Sequence, residues 1–474
     1  MRICLILEGC YPYVRGGVSS WAHNYIRAMP EHEFVLWTVD AQSERQGKFK
    51  YELPSNVVEV REVFLDNASP SQAKRGKIRL SSGEIGALLQ LTQCSDPDWP
   101  LLFSCYNTKK TSPVAFLKSE QYLDLLKRMC AEKYPFAAFS DLFFSVRSMI
   151  LPLLFLMTQD IPRADMYHSV ATGYSGILGV MGAWRYGSPY VVTEHGIYTR
   201  EREEEILRSN WIIAGFKDMW IAFFNMLSRC AYNTAHSVTS LYGHAMKTQI
   251  SLGCQPEKCR VINNGVNSEY FADIQPKKQD GFVDIGAVVR IAPIKDIKTM
   301  IYSFVELKHS VPRARLHILG DVDDEEYSSE CHALVNQLGV DDLWFLGNVD
   351  VHEYIKKLDF TILTSISEGQ PLAVIEAMAA GRAVVATDVG SCRELLEGAS
   401  GDKLGHCGIC TPPMHPQALS DSMRRLCNDP ELSGKMGETG RKRVQQSYTH
   451  DRMIKQYRAV YEELAGQWPA LGSN

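Results

Sequence analysis

Short apolar runs alternate along the chain with longer stretches whose apolar residues recur at helical spacing, the pattern of repeated βα units around a parallel sheet. In a first series, the runs Ile3 to Leu7, Glu33 to Val39, Val57 to Val63, Tyr190 to Thr193 and Ser237 to Thr239 predict strands with helices between them. A second series is more regular: Asp284 to Ile291, Arg315 to Leu319, Leu343 to Gly347, Phe360 to Ser365 and Ala383 to Thr387 each precede a helical segment. Each series suffices for one Rossmann-like lobe. The turn-forming stretches Asn263-Asn264-Gly265-Val266-Asn267 and Gln275 to Gly281 mark the join, where a hinge would set a cleft between the lobes. The predicted architecture is α/β, with a first domain over 1–270 and a second over 271–454. The rhythm fails between about Asn67 and Asp165, where Glu120 to Ala131 and Asp141 to Met157 read as helices of an insertion into the first domain. The last helical pattern, about Ser433 to Leu464, is expected to bring the segment 455–474 back onto that domain.

Length and composition agree with two folded lobes: 474 residues, 45% apolar and 22% charged. A net charge of −5 supplies no bulk attraction to nucleic acid or to an anionic bilayer, so no nucleic-acid partner is expected and any phosphate must be bound locally. Thirteen scattered cysteines, an odd number in a long chain, suit a reducing compartment and predict a cytoplasmic protein. The run Met149 to Met157 is half a membrane span and contains Pro152, which predicts a buried helix. The apolar segment Trp211 to Leu227 is broken by Lys217 and Asp218 and reads as a core helix, with docking onto a membrane partner as the sharper alternative.

Candidate chemistry is concentrated at the ends of predicted strands. Ser367-Glu368-Gly369-Gln370-Pro371-Leu372 leads into an apolar helix that carries Glu376 and stops at Gly381. The free N–H groups of such a helix start can hold an anion, while Glu376 can accept both hydroxyls of a ribose and Glu368 can reach a sugar beyond the phosphates. Arg290 and Lys295, just after the first strand of the second series, place two cations where a leaving diphosphate gains charge. Gly16 and Gly17 let backbone approach a phosphate or sugar after the first strand. His168 and the pair Glu194-His195 fall at carboxyl ends of strands, where α/β folds bind ligands. Two motifs are set aside. Asp321-Val322-Asp323 has the spacing of a metal-binding D-x-D but continues into more acid, as a solvated loop does, and His406-Cys407-Gly408-Ile409-Cys410 lacks a second ligand cluster for zinc.

The E-x7-E segment, the Arg290 and Lys295 pair, the Asn-Asn-Gly-Val turn and the Gly-Gly loop together resemble glycosyltransferase family 4 over nearly the whole chain. The longer strings Leu7 to Trp21, Thr193 to Arg202 and Glu368 to Pro371 resemble the cytosolic members of that family that serve exopolysaccharide assembly. The resemblance implies a GT-B fold and a retaining transferase that takes a hexose from a UDP-sugar, UDP-glucose being the named expectation. It further implies a glycan acceptor, membrane components of a polysaccharide synthase as partners, and a location at the inner face of the membrane. It needs neither cofactor nor metal. In the roles so implied, Arg290 and Lys295 hold the diphosphate, Glu376 the ribose, and Glu368 with Gly369, Gln370, Pro371 and Leu372 the donor sugar. Gly16 and Gly17 approach the phosphates, His168 touches the sugar from the other lobe, and Glu194 and His195 face acceptor or sugar. With Glu368 and His168, Arg290 and Lys295 count as catalytic. Attack from the face the leaving phosphate departs would retain configuration without a carboxylate nucleophile. Asn267 stands where many relatives have aspartate, and the long insertion leaves the acceptor side undefined. The competing readings are a nonhydrolysing UDP-sugar epimerase and a catalytically silent UDP-binding subunit of a membrane synthase.

Overall fold

The computed structural model describes residues 1–68 and 78–467. The parts of the predicted insertion at 69–77 and of the predicted terminal helix at 468–474 lie outside the described residues. The chain forms two compact units, one built from Met1–Ser240, Met246–Arg260 and the segment from Arg458, the other from Leu241–Ala245 and Val261–Tyr457.

In unit 1 the strands are β1 (Arg2–Glu8), β2 (Glu33–Asp40), β3 (Val57–Phe64), β4 (Met166–Ser169), β5 (Tyr190–Glu194), β6 (Ser237–Ser240) and β7 (Cys259–Val261). They lie in the order β3-β2-β1-β4-β5-β6-β7, with parallel pairing from β3 through β6. Near-continuous apolar strands such as Ile3 to Leu7 are what a parallel sheet buried on both faces requires. Unit 2 holds β8 (Val283–Val288), β9 (Ala314–Leu319), β10 (Leu343–Phe345), β11 (Phe360–Leu363), β12 (Ala383–Thr387) and β13 (Gly408–Thr411), ordered β10-β9-β8-β11-β12-β13 and parallel throughout. Counted from its first strand, each sheet follows the doubly wound order 3-2-1-4-5-6, so each reverses direction beside that strand. The three-residue β7 and four-residue β13 are too short to stand out as apolar runs, and the sequence pattern did not predict them.

The insertion between β3 and β4 holds the helices Ser82–Thr92, Trp99–Phe103, Pro113–Leu117, Glu120–Glu132 and Phe139–Met157. The last of these is 19 residues long, twice the predicted apolar run, and by length and composition alone could cross a membrane. Its Leu142, Val146, Met149, Ile150, Leu153 and Leu154 are instead buried in the core of unit 1, with Phe116 and Tyr122 in the same cluster. The long helical pattern at the C-terminus also differs from expectation. It is two helices, Pro430–Ser447 and His450–Gln467. Tyr448 O accepts from Val266 N–H at 2.9 Å and His450 N–H donates to Val266 O at 3.0 Å, so the backbone at 448–450 is drawn out of the helix to pair with the Asn-Asn-Gly-Val turn. Gly265 permits the approach, since a Cβ there would lie 2.2 Å from Thr449 O.

The helix Tyr174–Tyr186 packs on its sheet through a glycine face. A Cβ on Gly179 would fall 2.2 Å from the Tyr190 ring and one on Gly182 would fall 2.3 Å from the Tyr167 ring. Tyr190 cannot swing away freely, because its hydroxyl bonds Ser169 Oγ at 2.7 Å and Gly176 O at 3.1 Å. Gly179→Ala is therefore expected to lower stability by about 1–3 kcal/mol in urea unfolding, overpacking outweighing the gain of roughly 1 kcal/mol in helix propensity. A variant as stable as the parent would show that the ring yields.

Candidate active site

In unit 2 the predicted donor residues gather at the carboxyl ends of β8 and β11, beside the point where the sheet reverses. Arg290 follows β8 and is half exposed; its Nη1 pairs with Asp323 Oδ2 at 2.8 Å. Asp323 belongs to the acidic loop set aside as merely solvated, and that loop runs beside Ile291 through a bridge to Val322. Its sequence gave no sign of this partner, which comes from strand register. Lys295 Nζ bonds Glu368 Oε1 at 2.5 Å, and Ser365 Oγ donates to the same oxygen at 2.6 Å. Both members of this pair are largely enclosed, with 18% and 12% of their side chains accessible. Each predicted diphosphate cation is thus held by a carboxylate of the protein.

The loop after Glu368 is fixed by backbone. Gly369 O accepts from Ser391 N–H at 2.9 Å, and Gln370 Oε1 accepts from Asn264 N–H at 2.6 Å. Gln370 is buried, and its carboxamide oxygen ties the loop to the Asn-Asn-Gly turn, while its Nε2 has no hydrogen-bond partner. Gly390, at φ +56°, lets the neighbouring turn press against this loop: a Cβ would meet Glu368 O at 2.2 Å. Neither Ser365 nor Gly390 was singled out in the sequence, although a glycine in the turn after a strand was the available sign.

The helix Leu372–Ala379 begins after Pro371 with no side-chain cap, which leaves its first N–H groups free of a capping side chain. Glu376 sits on this helix. Burial alone raises its carboxyl from the ordinary range to about 7, and among the described residues neither a hydrogen bond nor a cation is assigned to it. Lys295 and Glu368 are in direct contact, whereas Arg290 and Glu376 share the same edge of the sheet without bonding to them.

In unit 1 the helix Gly17–Arg27 also starts without a side-chain cap, and a Cβ on Gly16 or Gly17 would meet nothing within 4 Å. The helix start is open. Trp21, one turn on, holds the His195 ring edge-on at 4.5 Å between centroids. Burial pushes His195 down to about 4, so the ring is neutral at physiological pH, and its Nε2 has no hydrogen-bond partner. Trp21 thus packs an imidazole with a buried, unbonded nitrogen one turn from the open helix start.

Two other expectations are corrected. His168 is fully buried, with Nδ1 bonded to Tyr461 Oη at 2.6 Å and Nε2 to Thr193 Oγ1 at 2.7 Å. Both nitrogens are occupied inside unit 1, so His168 offers none to a sugar and acts as a link between β4, β5 and the terminal helix. Glu194 is likewise enclosed: Tyr232 Oη donates at 2.6 Å, Gln249 Nε2 at 2.9 Å, Tyr198 N–H at 3.2 Å and Thr172 Oγ1 at 3.3 Å. It is an internal hub with no face toward an acceptor. Glu8, which the sequence reading passed over, closes the same edge by accepting from Tyr198 Oη at 2.9 Å and Ser175 N–H at 3.0 Å. Among the described residues no group of three or more His, Cys, Asp or Glu side chains is placed to hold a metal ion.

Residues 271–443 match the profile described as Glycosyl transferases group 1. The fold matches solved structures over nearly its full length: HepE of Anabaena in complex with UDP (TM-score 0.61, 14% identity, 98% of this chain and 100% of that one) and sucrose-phosphate synthase of Thermosynechococcus elongatus (0.62, 15%, 98% and 100%). Curated relatives include the MMP alpha-(1->4)-mannosyltransferase of Mycolicibacterium hassiacum, 24% identical across 60% of this chain and 68% of the relative. The putative glycosyltransferase EpsD of Bacillus subtilis is 26% identical, with coverages of 62% and 76%. The two doubly wound sheets are those of the GT-B fold, and the match over residues 271–443 supports a glycosyltransferase of that fold. Within that class the chain belongs to the family described as Domain of unknown function (DUF3492), whose profile covers residues 1–257.

Two pH dependences follow. Because the folded His168 pKa is depressed to about 3, the unfolded chain takes the proton first on acidification. Its contribution to stability is complete above about pH 6.5 and is lost as pH falls toward 3. His168→Asn should be less stable at pH 7 and should lose up to one proton's worth of the slope between pH 6 and 4, about 1.4 kcal/mol per pH unit; an identical slope in urea titrations would contradict the buried ring. Glu376 has the opposite sign: the unfolded carboxyl ionises first as pH rises above about 4.5, so the folded state loses stability up to about pH 7. Glu376→Gln should therefore stabilise the free protein by roughly 1–3 kcal/mol at pH 8 and little at pH 5, whereas equal effects at both would mean the carboxyl is solvated.

Proposed function

We propose that this chain is a retaining family 4 glycosyltransferase that moves a hexose, glucose or a close relative, from a UDP-sugar to a growing exopolysaccharide or other glycan. In this reading it resembles PelF, the cytosolic glycosyltransferase of Pel exopolysaccharide assembly, and works at the inner face of the membrane beside partners of a polysaccharide synthase. The observation that carries the proposal is Glu376: a desolvated carboxylate with no protein donor, on an uncapped helix at the sheet's reversal point. Two ribose hydroxyls would supply the missing donors. HepE, solved with UDP, shares the fold, and that supports a uridine nucleotide in this place.

The chemistry then falls to groups on the same edge. An incoming diphosphate draws Arg290 from Asp323 and Lys295 from Glu368, and their positive charge counts most as the leaving phosphate becomes more negative. Glu368, released in part, accepts from hydroxyls of the donor sugar. The departing phosphate oxygen takes the acceptor's proton on the face it leaves, so configuration is retained and no enzyme carboxylate becomes glycosylated. Two cations do the work a divalent metal does elsewhere.

The test is nucleotide release by purified protein from a panel of UDP-, GDP- and ADP-sugars with EDTA present, alongside Arg290→Ala and Glu376→Ala. The expected result is UDP release from UDP-glucose that survives chelation, falls roughly 100-fold or more in Arg290→Ala with the fold intact, and loses nucleotide affinity in Glu376→Ala. Release of another nucleotide would overturn the donor. Interconversion of UDP-sugars without transfer would favour an epimerase, and tight UDP binding with no turnover on any acceptor would favour a silent subunit.

A further inference from the structure

Unit 2 contains a cavity of about 390 Å³ that belongs to the opposite edge of the sheet from Glu368. Val283 and Phe360, which begin β8 and β11, and Arg382, which precedes β12, form its floor, and the helix Pro430–Ser447 supplies Ser433, Gly434 and Arg441 to its wall. A strand rises about 3.3 Å per residue, so the six residues of β8 set this cavity about 20 Å from the turn that carries Arg290. It is separate from the donor edge.

Its charges are unevenly matched. Arg382 is 4% exposed, and its guanidinium meets only carbonyls, Nε to Ile355 O at 3.2 Å and Nη2 to Gln275 O at 2.7 Å. Arg441 donates through Nη2 to Ile274 O at 2.7 Å and Ala380 O at 3.1 Å. Among the described residues, no ion pair is formed by either arginine. The acids at the cavity are already engaged: Asp359 accepts from Asp284 N–H at 2.7 Å and pairs with Lys277 at 3.2 Å, and Glu438 pairs with Lys442 at 2.6 Å. Lys277, bonded also to Asp280 at 3.0 Å and to Asp284, is neutralised in turn. Burial and the adjacent Arg441 charge pull Arg382 down to about 10, while Asp359 works in the other direction. Bonds to the carbonyls of Ile274 and Gln275 and to those at the ends of the helices Val351–Ile355 and Leu372–Ala379 explain why arginines stand here. They satisfy hydrogen bonds but leave neither arginine in an ion pair, and both line a space of ligand size.

We propose that this cavity is a second anion site, binding the phosphate group of a small phosphorylated metabolite between Arg382 and Arg441, independently of the donor edge. Guanidinium groups match phosphate oxygens in pairs, and a cavity in the range of about 300–1,000 Å³ has room for a sugar-sized remainder beyond the phosphate.

Calorimetric titration of the full chain with inorganic phosphate and with glucose 6-phosphate tests this, using Arg441→Gln, Gly434→Leu and Glu376→Gln. Gly434 lies on the wall with open space before its Cβ, so leucine there should fill the cavity and leave the helix intact. Saturable binding weakened roughly tenfold or more in Arg441→Gln and Gly434→Leu, but unchanged in Glu376→Gln, is expected. Tighter binding of glucose 6-phosphate than of phosphate assigns an ester, and equal affinity assigns free phosphate. No saturable binding of either probe, binding retained in Gly434→Leu, or binding lost in Glu376→Gln would each overturn the proposal.

Discussion

A parallel sheet that reverses its winding must part its strands' outgoing chains at the reversal, and the polar groups left there have no strand to pair with. Both units carry that constraint beside their first strand. In unit 1 it is met at β1 and β4 by Glu8, which takes the Ser175 N–H and the Tyr198 hydroxyl, and by the uncapped helix at Gly17. In unit 2 it is met at β8 and β11 by the Lys295–Glu368 pair and by a second uncapped helix at Leu372. Anion sites at helix starts are thus a consequence of how the sheets are wound, and side chains decide what each site does.

Three carboxylates, Asp284 and Glu194 buried and Glu376 partly so, show how that decision can be read. Asp284 loses solvation, yet His317, Arg315 and Lys277 bond it and hold it well below the usual carboxylate range. Glu194 loses more than its four donors restore and is raised. Glu376 has burial and nothing to offset it. The first two are complete in themselves, and substitution of either would leave stranded donors. Only the third is incomplete, which is the condition expected of a group whose partners arrive with a ligand.

The sequence made the two sheets legible because buried parallel strands are uninterrupted apolar runs, and it made the edge that carries Glu368 and Glu376 legible because strand, loop and helix start adjoin in the chain from Phe360 to Gly381. What it hid depends on distance. Tyr461 reaches His168 across 293 residues, Asp323 reaches Arg290 across 33, and Gln370 reaches Asn264 across 106. Position at a strand end marked His168 and Glu194 as candidates, but position does not reveal whether neighbours have already used the side chain's bonds. His195 passed that filter, and His168 and Glu194 did not. The same limit applied to the terminal helices, where periodicity continued through Tyr448 while the backbone was taken by Val266.

The two cations of the proposed donor edge differ in what they cost to release. Arg290 and Asp323 are each about half exposed, a pair worth at most about 1 kcal/mol in water. A diphosphate can displace that contact at little expense, and removing Arg290 leaves no buried charge behind. Lys295 and Glu368 are more enclosed, and Ser365 bonds the same Glu368 oxygen, so either member of the ion pair alone would be a largely enclosed charge without its counterion. In the proposed reaction Arg290 is therefore the group whose loss would separate chemistry from folding, whereas Lys295 would serve both, ordering the loop before a donor arrives and meeting its phosphates afterwards. On that proposal the loop's geometry and the charge that acts on the leaving group are coupled through one ammonium.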